Sequence, residues 1–350
     1  MTSQLSGPRL SWCVKDLAHE FTIFQRSRPL RHRWACHRQF LYLYPPFFLL
    51  LVLPLTFVSP GWAYLLWGLF NMMLIVVSVW LLARAFVPAS DRLTFALLVG
   101  ASLPAGRTLY LGQTAFLLLL GMGVAAIGFM NRDDRRGGLG STLLLIKPQL
   151  LPVWIVTLLW YRRWRSVGYF VAAAAGLYMI SLLLVGTGGM VGYVQALIRS
   201  GTANSVGFQA IGSHTLSGLA YGIAGEAGSR PLYVMMAVAT LALCCWWMFL
   251  LRRNTDNGDR TAVALAVVTT LLVSSHTLLY DLSLWSLPLA ICWTSLSSGR
   301  GRWLIAAGFL TPWVSSFFGM LGAGFVWPTV LVGLTGFAML GYTAVHPTAD

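Results

Sequence analysis

The chain has 350 residues, of which 57% are apolar and only 10% are charged. In a soluble domain roughly a quarter of all residues are charged, so this composition excludes an ordinary water-soluble fold. The net charge of +14 comes from arginines clustered between apolar runs. Because no basic face with interleaved aromatic residues accompanies them, nucleic acid is not expected as a partner.

Apolar runs recur along the whole chain and are long enough to cross a bilayer as helices. They lie at about 40–58, 62–87, 93–106, 109–130, 139–160, 167–186, 231–251, 261–275, 282–297, 303–320 and 325–345. The pattern predicts an all-α polytopic membrane protein with about 9–11 membrane-embedded helices, several of them short, broken or re-entrant. The expected location is a bacterial plasma membrane, with membrane lipids as partners.

The domain organisation follows from the same pattern. Residues 1–38 form a basic N-terminal segment, which is either cytoplasmic or atypical. Residues 39–345 are predicted to form a single transmembrane domain with an outer loop at 187–230, and residues 346–350 form a tail. Within the outer loop, GYVQALIRS and HTLSGLAYGI are candidates for short amphipathic helices.

Arginine clusters on both sides of the segment 139–160 predict a reversal of the chain within it. Three arginines precede the segment at 132–136 and three follow it at 162–165. Cytoplasmic loops of membrane proteins are rich in Lys and Arg, so a straight span would place one cluster on the wrong side. A re-entrant hairpin that breaks at Lys147-Pro148 keeps both inside, since proline cannot continue the helix. The resulting topology leaves four basic residues outside or at membrane depth: Arg107, Lys147, Arg199 and Arg230.

Charged groups at membrane depth are costly, and each is therefore a candidate for function. Lys147, in STLLLIKPQLLPVW, is a candidate to bind a phosphate, or else is a lysine that reaches from a helix end to the interface. Asp281, in SSHTLLYDLSLW, is a candidate base beside His276 and Tyr280. The alternative for Asp281 is a helix cap with an interfacial His and Tyr.

Three further polar residues lie at the predicted outer side. Arg107 is a second candidate for phosphate binding, or an interfacial arginine beside Tyr110. Gln113 and His214 are candidates for substrate binding. The His and Asp residues lack the spacing of a metal site, and no nucleotide-binding fingerprint is present, so neither a metal nor a cofactor is expected.

Four blocks of the chain, in order, resemble glycosyltransferase family 87. They are YLYPPFFLLLVLPLTFVSPGWAYLLWGLFN, LYLGQTAFLLLL, STLLLIKPQLLPVWIVTLLWYRRWR and SSHTLLYDLSL, and the resemblance covers residues 40–297. It implies a C-type hexosyltransferase that takes a hexose, mannose in this family, from a polyprenyl phosphate outside the membrane. The acceptor is expected to be a glycolipid or a glycan.

The motifs of the family match Lys147-Pro148, Gly112-Gln113, and the set of His276, Tyr280 and Asp281. Together with the candidates above, the expected roles are binding of the donor phosphate for Lys147 and Arg107, catalysis for Asp281 and His276, and substrate binding for Gln113, Tyr280 and His214. This chain departs from the family in two places. Ala115 stands where the family usually has asparagine, and the first span with its acidic outer loop is not seen before Tyr42. Two alternatives therefore stay open. One is an inactive or truncated member of the family, and the other is a transporter of a lipid-linked sugar or another solute.

Overall fold

The computed structural model describes residues 44–202, 212–252, 258–274, 277–296, 302–320 and 326–345. Over these ranges the chain is helical and contains no strand, which confirms the predicted all-α class. The α-helices in chain order are α1 (Leu49–Val52), α2 (Pro60–Phe86), α3 (Arg92–Gly100), α4 (Leu103–Tyr110), α5 (Ala115–Met130), α6 (Asp134–Thr142), α7 (Leu151–Trp160), α8 (Trp164–Thr202), α9 (Leu216–Leu251), α10 (Gly258–Val273), α11 (Ser286–Ile291), α12 (Trp293–Leu296), α13 (Arg302–Met320) and α14 (Trp327–Val345). Short 3-10 helices cover Pro46–Phe48, Leu53–Phe57, Ala89–Asp91, Leu143–Ile146, Pro148–Leu150 and Leu279–Trp285.

Three helices of the described ranges are long and apolar enough to cross a membrane: Pro60–Phe86, Trp164–Ile198 and Leu216–Leu251. Shorter apolar helices accompany them, as expected from the broken runs of the sequence. The outer face of α2 presents large apolar side chains to its surroundings, with Trp62 62%, Val76 61% and Trp80 57% exposed. Such a face is stable only against lipid or another apolar surface, so the chain is a membrane protein.

The described chain divides into two compact units. The smaller one contains residues 44–54 and 175–202, and in it the Phe47 amide donates a hydrogen bond to Ser181 Oγ at 3.0 Å. The larger one contains the rest of the described residues, and the candidate site lies entirely within it.

In the larger unit, α5 and α6 pack with their backbones in contact because glycines line both helices. A Cβ atom at Gly140 would lie 2.5 Å from the Ala125 nitrogen and 2.8 Å from the Gly121 oxygen. A Cβ atom at Gly121 would lie 2.6 Å from Leu143 Cβ. Small residues permit this close approach of helices in membranes, where van der Waals packing replaces the hydrophobic effect.

The chain reverses direction at Lys147-Pro148, as predicted. Trp154 Nε1 of α7 donates to Ser141 Oγ of α6 at 2.7 Å, and these residues lie on opposite sides of the break. Ser166 Oγ, at the start of α8, donates to Oδ1 of Asp134, the first residue of α6, at 2.7 Å. The start of α6 therefore lies close to the chain that follows α7, and 134–160 is a hairpin.

This geometry brings the predicted cytoplasmic loops to one end of the larger unit. Arg163 lies 3.9 Å from Asp134 and also donates to the Phe129 carbonyl at the end of α5. Burial raises the pKa of Tyr161, and the nearby Asp259 carboxylate raises it further, which places the start of α10 at the same end. The described arginines around α5, α6 and α7 and the start of α10 are thus grouped, as a common cytoplasmic location requires.

We expect the arginine-rich end to face the cytoplasm. In a cysteine-free background, Arg136→Cys and Arg165→Cys should resist a membrane-impermeant thiol reagent added outside the cell, since both positions are exposed at this end. Glu226→Cys, on the exposed part of α9 predicted to lie outside, is the matched control and should react. Reaction of Arg165→Cys from outside would contradict the proposed orientation.

The predicted outer loop 187–230 is largely helical where it is described. Helix α8 continues to Thr202 after a break at Gly186, where φ is 66°. Helix α9 begins at Leu216 and breaks at Gly225, where φ is 63°. The stretch GYVQALIRS is therefore helical, and HTLSGLAYGI is helical from Leu216 onward, whereas their position on the outer face stays a prediction.

Candidate active site

Lys147 lies at the tip of the α6–α7 hairpin. The residue before a proline avoids helical geometry, and Lys147 accordingly adopts φ −130° and ψ 82° between two 3-10 helices. Its amide donates to the Leu144 carbonyl at 3.0 Å, and its carbonyl accepts from the Leu150 amide at 3.0 Å. Because the backbone of the turn is satisfied, the lysine side chain is held at a defined place.

Asp281 lies in the first turn of the 3-10 helix Leu279–Trp285. Its amide donates to the Leu278 carbonyl at 2.9 Å, and its Oδ2 accepts from the Leu278 amide at 3.1 Å. Asp281 therefore caps the helix, which is the alternative that the sequence left open. The cap occupies only one carboxylate oxygen.

The second oxygen of Asp281 forms an ion pair with Lys147. Lys147 Nζ lies 2.5 Å from Asp281 Oδ1, and the two side chains are only 10% and 2% exposed. The ammonium group also lies 4.5 Å from the centre of the Tyr280 ring, a cation–π contact. Two charges this deep are stable because they neutralise each other, and removal of one leaves the other without a counterion.

Helix α4 lies against the 3-10 helix that carries Asp281. Thr108 Oγ1 donates to the Pro104 carbonyl at 2.8 Å and lies 3.4 Å from both the Tyr280 carbonyl and Ser283 Oγ. The neighbouring Arg107 is half-buried, and its side chain forms no hydrogen bond or ion pair within the described residues. Arg107 thus lies on the helix beside Asp281 without contacting it.

The Gly112-Gln113 block ends α4 in a Schellman turn. Gln113 N donates to the Thr108 carbonyl at 2.9 Å, and Gly112 N donates to the Leu109 carbonyl at 3.2 Å. Gly112 has φ +61°, a conformation that favours glycine. Gln113 is half-buried where the chain enters α5.

Aromatic residues of α2 hold this turn, and they were not among the predicted site residues. Trp67 Nε1 donates to the Gly112 carbonyl at 2.7 Å, and the Tyr64 hydroxyl donates to the Tyr110 carbonyl at 3.0 Å. Tyr64 and Trp67 are three residues apart, so both lie on one face of the helix. This spacing is the signal by which the sequence could have indicated them. Because large aromatic residues are common at membrane interfaces, this spacing alone did not single them out.

His214 is linked to Asp281 through one peptide group. The His214 amide donates to the Thr277 carbonyl at 2.9 Å, and the Leu278 amide of the same peptide group donates to Asp281. The His214 ring is buried, with Nδ1 2.6 Å from Thr329 Oγ1. Its contacts in this state are with protein, and its predicted role in substrate binding stays a prediction.

We expect His214 to make the stability of the protein depend on pH. Burial lowers the pKa of His214 from 6.5 to about 4, so the unfolded chain binds a proton more readily between these values. Stability should fall as the pH drops from 6.5 towards 4, by roughly 3 kcal/mol in total. Thermal unfolding in detergent across this range measures the effect. The His214→Gln variant should lose this part of the dependence, and an unchanged profile would contradict it.

Several buried polar atoms around the site have no hydrogen-bond partner within the described part of the chain. They are Asn71 Oδ1, Thr114 Oγ1, Thr277 Oγ1 and Trp285 Nε1. Thr277 lies just before the helix of Asp281 and Trp285 is its last residue, while Thr114 follows Gln113. Buried polar atoms are nearly always paired in proteins, so these offer hydrogen-bonding capacity to a polar ligand.

Of the remaining predicted residues, His276 lies outside the described residues. Among those that are described, no three His, Cys, Asp or Glu side chains form a cluster suited to a metal ion. The expectation that no metal or cofactor takes part stays a prediction. The structure thus brings Lys147, Asp281 and Tyr280 into contact and places the other described candidates on the elements around them.

The fold and this buried pair define a helical membrane protein with a charged centre at the tip of a hairpin. The model of glycosyltransferase family 87 matches residues 42–275, more than half of the chain, and the chain belongs to that family. It is accordingly a membrane glycosyltransferase. The match includes Lys147, Arg107, Gln113 and His214 but ends before Asp281. No match was found among curated proteins or among solved structures.

Proposed function

We propose that the protein transfers a hexose, mannose by resemblance to its family, from a polyprenyl phosphate to a glycolipid or glycan acceptor. The reaction takes place on the outer side of a bacterial plasma membrane. The observation that carries the proposal is the buried ion pair of Lys147 and Asp281 beneath the Tyr280 ring. A phosphate-binding cation and a proton-accepting carboxylate are the two groups that this reaction needs.

Lys147 binds the phosphate of the donor lipid. As the bond between the sugar and the phosphate breaks, negative charge grows on the phosphate oxygens, and an ammonium group fixed in a dry site stabilises that charge strongly. Arg107, half-buried on α4, is the second cation of the site. In the predicted topology the hairpin tip, and Lys147 with it, lies towards the outer side of the membrane, where the donor headgroup is expected.

Asp281 is the base that takes the proton of the attacking hydroxyl group. The cap to Leu278 fixes its orientation through Oδ2, and Oδ1, paired with Lys147 in the structure, is the oxygen that accepts the proton. The Tyr280 ring offers an apolar face beside the ammonium group, suited to the carbon face of a sugar. The unpartnered atoms of Thr114 and Thr277, together with Gln113, supply hydrogen bonds to sugar hydroxyls.

A transfer assay tests the proposal. The purified protein in liposomes is supplied with radiolabelled mannosyl phosphoryl polyprenol and membrane glycolipids, and the labelled product is separated by chromatography. We expect transfer from the lipid-linked donor and none from nucleotide-linked mannose. Transfer from the nucleotide donor alone, in the absence of any polyprenyl phosphate, would contradict the proposal.

A further inference from the structure

The two groups proposed to act on the substrates are engaged with each other in the structure. Lys147 Nζ and Asp281 Oδ1 are 2.5 Å apart, and both side chains are almost completely buried. Asp281 Oδ2 is occupied by the Leu278 amide. In this state Lys147 lacks an open site for a phosphate, and Asp281 lacks a free oxygen for a proton.

We infer that the ion pair is a switch, in which the donor phosphate replaces Asp281 as the counterion of Lys147 and thereby frees Asp281 for catalysis. The inference rests on the proposed function. It follows from the cost of buried charge: without ligand, neither group is stable alone, so they pair. A phosphate supplies the negative charge that Lys147 needs and removes the reason for pairing.

The rest of the site supports an exchange of this kind. Asp281 stays anchored through the Leu278 amide, whose peptide group is fixed from its other side by His214. The carboxylate therefore remains in place when its contact with Lys147 opens. Lys147 keeps its contact with the Tyr280 ring, which lies next to Asp281 in sequence.

The switch imposes an order on the reaction. The phosphate of the donor binds Lys147 first, and Asp281 Oδ1 becomes free. The acceptor oxygen then attacks the anomeric carbon, and its proton passes to Asp281 Oδ1. The bond between the anomeric carbon and the phosphate oxygen breaks, and the polyprenyl phosphate leaves with the electron pair. When it departs, Asp281 releases the proton to solvent and pairs with Lys147 again.

The experiment measures the binding of polyprenyl phosphate without sugar to the wild-type protein and to Asp281→Asn. Asparagine keeps an oxygen for the Leu278 amide but carries no charge, so the phosphate no longer has a competitor. We expect the Kd of the variant to fall about tenfold, while transfer falls at least about 100-fold. Glu226→Gln removes a negative charge from an exposed position of the same unit and should leave the Kd unchanged.

Polyprenol, which has the same chain without the phosphate, should bind the wild-type and variant proteins equally. If Asp281→Asn unfolds without ligand, polyprenyl phosphate added throughout purification should restore the fold, since it supplies the missing counterion. A variant that binds no more tightly than wild type, or that stays unfolded in saturating polyprenyl phosphate, would overturn the switch. If Lys147→Met binds polyprenyl phosphate as tightly as the wild-type protein, the proposed function itself fails, and the two failures are thus distinguishable.

Discussion

Replacing Lys147 with methionine is expected to lower sugar transfer by at least about 100-fold, since a positioned cation at a developing negative charge contributes that much. The same change leaves Asp281 buried without its counterion and is expected to cost about 3–5 kcal/mol of folding free energy. Transfer in liposomes and thermal unfolding in detergent measure the two effects. Lys147→Arg keeps the charge and should retain part of the activity.

A double variant separates the loss of activity from the loss of stability. Lys147→Met combined with Asp281→Asn contains neither charge, so most of the lost stability should return. Transfer should remain absent, because both chemical groups are missing. Recovery of transfer together with stability would show that the pair only holds the fold, and Lys147 would then have no part in donor binding.

Replacing Gly140 with valine is expected to prevent folding. Its Cβ atom would lie 2.5 Å from the Ala125 nitrogen and 2.8 Å from the Gly121 oxygen, both backbone atoms that cannot turn away. Helices α5 and α6 would have to separate, and with α6 the whole hairpin that presents Lys147 would move. The yield of monodisperse protein after size-exclusion chromatography measures the effect, and we expect little or none.

The matched control is Gly168→Leu in α8, where an added Cβ atom has no neighbour within 4 Å. Leucine favours helix over glycine by roughly 0.5–1 kcal/mol, so this variant should fold as well as wild type or better. A folded Gly140→Val protein with normal yield would show that α5 and α6 tolerate separation.

The sequence was sufficient for features with a local cause. Pro148 forbids a continuous helix, and the arginines on both sides of the segment demand a reversal, so the hairpin could be predicted. Lys147 and Asp281 could be singled out as candidates because charges at membrane depth are costly, but their ion pair was not predicted. Asp281 was left open between a base and a cap, and the structure gives it the cap together with an ion pair.

Features that depend on tertiary packing could not be predicted. The close contact of α5 and α6 arises from glycines on two helices, and nothing in either helix alone indicates its partner. The contact of Trp67 with Gly112 joins α2 to a turn about 45 residues later, beyond the reach of a periodicity argument. The resumption of helix α8 after the break at Gly186, where φ is 66°, is a further feature of this kind.

The ion pair has a consequence for the synthesis of the protein. Lys147 and Asp281 are separated by 134 positions, so in a chain inserted from its N-terminus the lysine enters the membrane long before its counterion exists. During that interval the hairpin carries an uncompensated charge, which has to be solvated by water or by polar groups of the insertion machinery. A chain that stops before residue 281 never acquires this counterion, so the cost of the buried lysine charge remains.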